Sequence, residues 1–434
     1  MNGQSRPATA TAWQLRAWAL YDLANQAFVT PIQSFIFAAY FTNAVAANPT
    51  QGTTQWGNMV GISGVLIALG GPLLGAMADR TGRRKPWLGV FTLLCILCTG
   101  LLWYVAPSPE YVWLALLLVG VGTIASEYSQ IFYNAMLPEL APPDRQGRWS
   151  GWGWATGYFG GIVCLTAGLF LFIGENPLIP LSRDGAYHIR ATNLLAAGWY
   201  FVFAIPLFLF TPDAPATGAA RLGPVQAARE GVRQLVDSLR HARRHRHILK
   251  FLVARTIYNE ALSTTFVFGG IYAAGSFGMT TAEVLTFGIA MNVSAGLGAF
   301  CFAWVDDAIG PRKTILFSLL GLVVPGAAIL LVHDKLWFWV FGLLMSVFFG
   351  PVQAASRTWL ARSAPEGLRT QFFGLFALSG KVTSFMGPLA VAWLTALFDS
   401  QRIGMSCVVV FLVIGGVLML GVPQAGPQES GDQR

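Results

Sequence analysis

Hydrophobic residues fall into twelve runs, each about long enough to cross a bilayer as a helix. We predict spans at residues 17–45, 57–77, 87–105, 111–137, 150–173, 191–211, 249–275, 281–304, 314–333, 335–359, 370–397 and 402–421. A polar, basic segment at 212–248 divides them six and six. The pattern predicts an all-α membrane protein of twelve transmembrane helices in two pseudo-symmetric six-helix bundles, at 1–211 and 249–434.

A charged loop separates the second and third runs, and a weaker copy separates the eighth and ninth. The first copy contains Gly75, Asp79, Arg80, Gly82, Arg83 and Arg84, and the second contains Asp307, Arg312 and Lys313. Aligning the two aspartates also aligns a glycine and the basic residues that follow. A loop that recurs half a chain later indicates internal duplication.

Polar side chains recur at helical spacing on the first, fourth, seventh and tenth runs. They include Asp22, Gln26, Gln33, Glu127, Gln130, Asn134, Arg255, Asn259 and Gln353. Because a charge in hydrocarbon costs several kcal/mol, we expect these faces to meet protein or water. Two interpretations stay open: a central aqueous cavity that contacts substrate, and fixed hydrogen bonds between helices.

The depth of the charged side chains suggests two pairs. Asp22 and Arg255 lie about 9 Å into their spans, so we expect that they can pair across the halves. Glu260 and Lys381 lie near the midplane, so we expect them to pair or to share a hydrated cavity. The proton affinity of such a carboxylate depends on a neighbouring cation and on hydration, which suggests that Glu260 couples transport to protons. A permanent structural ion pair is the alternative interpretation of Glu260, and Glu127 is the rival proton carrier.

Composition supports a membrane protein and sets its orientation. Of 434 residues, 54% are hydrophobic and only 11% charged, against roughly 25% charged in soluble domains. The net charge of +8 lies in the connections between spans, which argues against nucleic acid as a partner. By the positive-inside rule we predict a multi-pass protein of a bacterial cytoplasmic (inner) membrane with both termini cytoplasmic. The basic linker at 212–248 is predicted to contain an amphipathic helix. Its positive charges either fix the membrane orientation of the seventh span or bind a phospholipid or nucleotide as a sensor.

The twelve runs and the loop from Gly75 to Lys85 resemble the major facilitator superfamily. Four stretches resemble its vacuole-effluxer-like branch, which includes autophagy-related amino-acid effluxers. They are 18–28, 132–139, 157–161 and the motif Arg255-x-x-Tyr258-Asn259. The resemblance implies alternating access around a site between the halves. It also implies that Asp79 and Asp307 act as latches at helix N-termini, near 369–372 and Ser150 respectively.

We therefore expect a secondary active transporter of a small polar solute, working by symport or efflux; an amino acid is the candidate solute and the proton the candidate coupling ion. The alternative is a transport-silent membrane sensor or scaffold with the same fold. No nucleophile with a base, metal-ligand cluster or phosphate-binding loop is evident, so we predict no enzyme activity, no cofactor and no metal. The expected partners are the solute, the lipid bilayer and protons, and we expect a monomer.

Overall fold

The computed structural model describes residues 10–81, 83–174, 176–213, 233, 245–279, 281–380, 383 and 386–425. Throughout these ranges the regular secondary structure is helical, and the twelve predicted spans are confirmed as helices. In chain order they are α1 (Ala12–Val45), α2 (Pro49–Thr81), α3 (Lys85–Tyr104), α4 (Pro109–Leu140), α5 (Pro143–Ile173), α6 (Asp184–Phe210), α7 (Arg246–Phe277), α8 (Thr281–Ile309), α9 (Pro311–Leu331), α10 (Lys335–Ser363), α11 (Arg369–Ser379 and Met386–Phe398) and α12 (Gln401–Leu420).

Nine helices in the described part of the chain are long and apolar enough to cross a membrane. The three others are α2, α7 and α11; α7 carries more polar residues, and α11 is divided into two segments. Several helices also extend beyond the predicted boundaries; α2 starts at Pro49, eight residues before the predicted 57. Hydropathy marks only the apolar part of a span, whereas the backbone hydrogen bonds of the helix continue into the membrane–water interface.

Regular α-geometry is interrupted inside α1, α10 and α11, and α5 ends in a π-helical turn, Leu169–Ile173. In α1 a π-helical stretch, Val29–Phe35, contains Pro31, whose missing N–H disturbs the helical ladder. In α10 the chain turns between Ser346 and Phe349. A Cβ on Gly298 of α8 would clash with the carbonyl oxygen of Val347, so a glycine is needed for α8 to approach this turn. The third break separates the two segments of α11.

The two halves meet along two pairs of glycine-containing helices. The helix α5 packs against α8, and α2 packs against α11. A Cβ on Gly151 would lie 2.6 Å from Ala303 Cβ, and one on Gly75 would lie 2.5 Å from the carbonyl oxygen of Thr370. These glycines allow the backbones of the two halves to lie in close contact.

Most of the predicted linker, 212–248, lies outside the described residues, including its expected amphipathic helix. The described part does contain Asp213, which accepts hydrogen bonds from the backbone N–H groups of Arg84 (3.0 Å) and Lys85 (3.3 Å). Lys85 Nζ donates to the carbonyl oxygens of Phe208 and Thr211. Because these bonds satisfy the start of α3 and the end of α6 together, they tie the beginning of the linker to the first bundle.

Candidate functional site between the two halves

Arg357 of α10 crosses from the second half into the first. Its Nη1 lies 3.1 Å from Asp22 Oδ2 and 3.1 Å from Asn134 Oδ1, and its Nε donates to Ser150 Oγ at 2.8 Å. Its Nη2 donates to the Ser150 carbonyl oxygen, and Tyr133 donates to the same Asp22 oxygen at 2.9 Å. Only 2% of Arg357 is exposed. The guanidinium therefore joins α1, α4 and α5 to α10 through charge-assisted hydrogen bonds.

The expected pairing of Asp22 with Arg255 is wrong, since Asp22 pairs with Arg357. Similar depth is not sufficient, because α1 lies beside α5 and α6, and α10 rather than α7 packs against α5. The sequence places Arg357 on the polar face of the tenth span with Gln353, but we did not select it as a site residue. In the structure it lies six residues before the end of α10 at Ser363, and a charge at that depth requires a partner.

Arg255 lies in a separate cluster on the second half. Its Nη1 donates to Ser379 Oγ at 2.6 Å and to the Phe376 carbonyl oxygen at 2.8 Å, and its guanidinium lies 3.5 Å from the Phe376 ring centroid. Asn259 Nδ2 donates to the Gly380 carbonyl oxygen at 3.3 Å. Both side chains thereby satisfy carbonyl groups where the first segment of α11 ends. Glu127 of the first half interacts electrostatically with Arg255.

Glu260 lies beside the second segment of α11. Its Oε1 accepts from the backbone N–H of Gly387 at 2.8 Å, and its Oε2 accepts from Thr383 at 3.2 Å. A carboxylate at the start of a helix is favoured by the unpaired N–H groups and the helix dipole. The expected partner Lys381 lies outside the described residues, so the pairing stays a prediction.

The other polar residues predicted to line a cavity are part-buried. Gln33 Nε2 donates to Thr123 Oγ1 of α4 at 2.7 Å, and Gln26 accepts from Thr30 at 3.2 Å. Gln130 and Gln353 are also part-buried. Gln33 thus takes part in a hydrogen bond between helices, as one of the two open interpretations requires, and its contact with substrate stays a prediction.

Asp307, from the second charged loop, lies at the start of α5. Its carboxylate lies against the backbone of Gly147 and Arg148. It also pairs with Arg148 Nε at 3.5 Å and with Arg362 Nη2 at 3.1 Å. The carboxylate thus lies at the start of α5 and its contact with Arg148 crosses the halves; its role as a latch stays a prediction. The neighbouring Asp306 was not selected as a site residue; it is 2% exposed, and Thr358 and Arg362 are among its polar neighbours.

In the first charged loop, Arg84 carries the described contact with the other half. Its Nε donates to Thr370 Oγ1 of α11 at 2.8 Å, and it forms an ion pair with Glu139. Arg369 Nη1 lies 4.0 Å from the same glutamate. Glu139 therefore lies between arginines from both halves, a role that the sequence analysis did not assign.

The structure describes only some of the remaining residues of the two charged loops. Arg83 is exposed. The side chains of Asp79 and Arg80, and all of Gly82, lie outside the description, so the latch role of Asp79 stays a prediction. Arg312 Nη2 donates to the Leu420 carbonyl oxygen at 2.7 Å, a contact within the second half, and Lys313 is exposed.

All of the hydrogen bonds and ion pairs described above that join the halves lie toward one end of the bundle. We call it the charged-loop end, where α2 joins α3 and α8 joins α9. The contacts are those of Arg357 with α1, α4 and α5, Arg84 with α11, Arg369 with α4, and Arg148 with Asp307. The halves are thus held together at the charged-loop end.

Solved structures share this architecture across nearly the whole chain. The proton:xylose symporter XylE, of the major facilitator superfamily, aligns with a TM-score of 0.72 at 15% identity, covering 95% of this chain and 96% of its own. The transporter FucP in the outward conformation aligns with a TM-score of 0.71 at 14% identity, covering 95% and 98%. At this identity the likeness establishes the twelve-helix, two-half fold.

Sequence comparison is more specific. The MFS-type transporter YxiO of Bacillus subtilis (strain 168) is 24% identical over 424 residues, which cover 95% of each chain. Autophagy-related protein 22 of Kluyveromyces lactis is 22% identical over 348 residues, covering 72% of this chain and 68% of its own. The family model described as "Vacuole effluxer Atg22 like" matches residues 58–429. The chain belongs to the Atg22-like vacuole effluxer family of major facilitator superfamily transporters.

Proposed function

We propose that this protein is a secondary transporter that moves a small polar solute across the cytoplasmic membrane by alternating access. The observation that carries the proposal is the Arg357–Asp22 contact and the other inter-half contacts at the charged-loop end. We infer that this end is cytoplasmic and that the conformation described here faces outward. The contacts must then break, and the opposite end must close, for the solute to be released inside or loaded from inside.

The chemistry between the halves favours a zwitterionic solute such as an amino acid. Glu127 and Arg255 carry opposite charges on opposite halves and interact electrostatically. A solute with an ammonium and a carboxylate group could replace this interaction, with the ammonium group toward Glu127 and the carboxylate toward Arg255. Asn259, one helical turn after Arg255, would offer a hydrogen-bonding amide to the same solute.

Glu260 and Glu127 are the two candidates for proton coupling. In this conformation Glu260 is held by Gly387 and Thr383, and Glu127 faces Arg255. A carboxylate whose neighbours change between conformations changes its proton affinity. Glu127 meets that condition if solute displaces it from Arg255, and Glu260 meets it if the two segments of α11 move relative to α7.

Counterflow in proteoliposomes tests the transport function. Vesicles containing the purified full-length protein are loaded with a mixture of unlabelled amino acids, and uptake of each radiolabelled amino acid is measured in turn. We expect uptake of at least one amino acid above protein-free vesicles. We also expect Arg255→Gln to reduce that uptake about tenfold or more, because a charge-assisted hydrogen bond contributes about 1.5–3 kcal/mol.

The matched control is Arg16→Gln, which removes the same charge from an exposed position at the start of α1. It should retain uptake. Absence of counterflow for every amino acid, in correctly inserted protein, would reject the amino-acid proposal. If counterflow is also absent for a wider panel of sugars, organic acids and peptides, the transport-silent alternative is favoured.

A further inference from the structure

A cavity of about 460 Å³ lies at the charged-loop end of the second half. It is lined by Arg246, His247 and Lys250 from the start of α7, by Arg312 from the start of α9, and by the chain at 420–423, where α12 ends. None of these residues forms the described contacts between the halves. Pockets that bind small ligands have volumes of about 300–1,000 Å³, so this one has room for a ligand.

The charge of the lining is one-sided. Arg246 and Lys250 lie one helical turn apart on α7, and Arg312 joins them from α9, a helix 62 residues further along the chain. No carboxylate lines the cavity among the described residues. Like charges gathered in one concave surface repel each other and raise the local concentration of counter-ions. The cavity is therefore suited to an anion.

Two nitrogen atoms of the lining residues have no hydrogen-bond partner in the described part of the chain. They are Nε2 of His247 and Nε of Arg312, and both atoms are shielded from solvent. Their positions are held by other contacts: Arg312 Nη2 donates to the Leu420 carbonyl oxygen at 2.7 Å, and the His247 ring lies 6.3 Å from that of Trp359. A buried polar atom left unpaired costs free energy, and an anion with several acceptor oxygens would pair an N–H at these positions.

We propose that this cavity binds a phosphate-bearing anion. A phosphate group offers the several charged acceptor oxygens that arginine and lysine bind best. Its source is either the headgroup of an anionic phospholipid or a soluble phosphorylated molecule; basic pockets between helices at a membrane surface bind such headgroups. The anion would join the ends of α7, α9 and α12. The site stands apart from the contacts between the halves and does not depend on the proposed transport function.

Two probes distinguish the sources. The first is inorganic phosphate added to the full-length protein in detergent, with potassium chloride at equal ionic strength as the reference, because phosphate salts also stabilise proteins without a site. The second is phosphatidic acid, supplied in phosphatidylcholine vesicles and compared with phosphatidylcholine alone. Binding is measured as the rise in the unfolding midpoint with probe concentration.

The variants are Lys250→Gln, Arg312→Gln and the double variant, with Arg16→Gln as the control of equal charge change. Lys250 is exposed, so its substitution leaves helix packing intact. We expect each single variant to weaken binding about tenfold and the double variant to lose the midpoint shift, while Arg16→Gln keeps it. A shift with inorganic phosphate supports the proposal with a soluble source, and a shift with phosphatidic acid alone supports it with a lipid source. If neither probe shifts the native protein, or if the double variant shifts equally, the proposal is overturned.

Discussion

Replacing Asp22 by asparagine should open the charged-loop end of the protein. The substitution keeps the shape of the side chain but removes the charge that faces Arg357 Nη1 at 3.1 Å. Arg357 keeps its bonds to Ser150 and Asn134, so the remaining network resists complete separation. The effect should therefore be a shift in the balance of conformations rather than unfolding.

The size of the shift follows from the lost interaction. A hydrogen bond to a charged group contributes about 1.5–3 kcal/mol, and this one is made in the conformation described here and broken when the halves part at this end. Because 1.4 kcal/mol corresponds to a factor of ten, the open population should rise about 10- to 100-fold. A ratio of 1:99 between open and closed conformations would then become about 1:10 to 1:1.

Distances between spin labels at Asp144 and Glu366 measure this balance. Both side chains are exposed, at 74% and 91%; Asp144 lies at the start of α5 and Glu366 in the α10–α11 connection, on opposite halves. In Asp22→Asn we expect a second, longer distance to gain population. The matched control, Glu110→Gln, makes the same chemical change at an exposed position at the start of α4, at the opposite end of the bundle. A distance distribution in Asp22→Asn identical to that of the native protein would refute the gating role of the Asp22–Arg357 pair.

Three further predictions use the same preparation. Gly298→Ala should lower the unfolding midpoint, because its Cβ would clash with Val347 and such overpacking costs about 1–3 kcal/mol. The control Gly288→Ala has open space around its Cβ and should keep the native midpoint. Equal midpoints for the two variants would contradict the close approach of α8 to the turn in α10. Asp307→Asn should lengthen the same spin-label distance, since Asp307 pairs with Arg148 and Arg362; an unchanged distance would remove it from the gate. Glu260→Gln should retain counterflow of an amino acid but lose its accumulation under a pH gradient, and accumulation at the native level would exclude Glu260 as the proton carrier.

The sequence by itself determined the number of spans, the duplication and the family. Each of these depends on local or repeated patterns: the length of an apolar run must match the bilayer, and the loop from Gly75 to Arg84 recurs around Asp307. It also predicted that Asp307 meets the start of α5, through the resemblance to a known family.

The tertiary structure decided which charged groups meet. Asp22 pairs with Arg357 rather than Arg255, and Glu139 lies between Arg84 and Arg369. The depth of a residue in its span can be estimated by counting along the helix. Its partner depends also on the rotation of that helix and on its neighbours, and these are set by packing among all twelve helices. The basic cavity has the same origin, since only packing brings the ends of α7, α9 and α12 to one place.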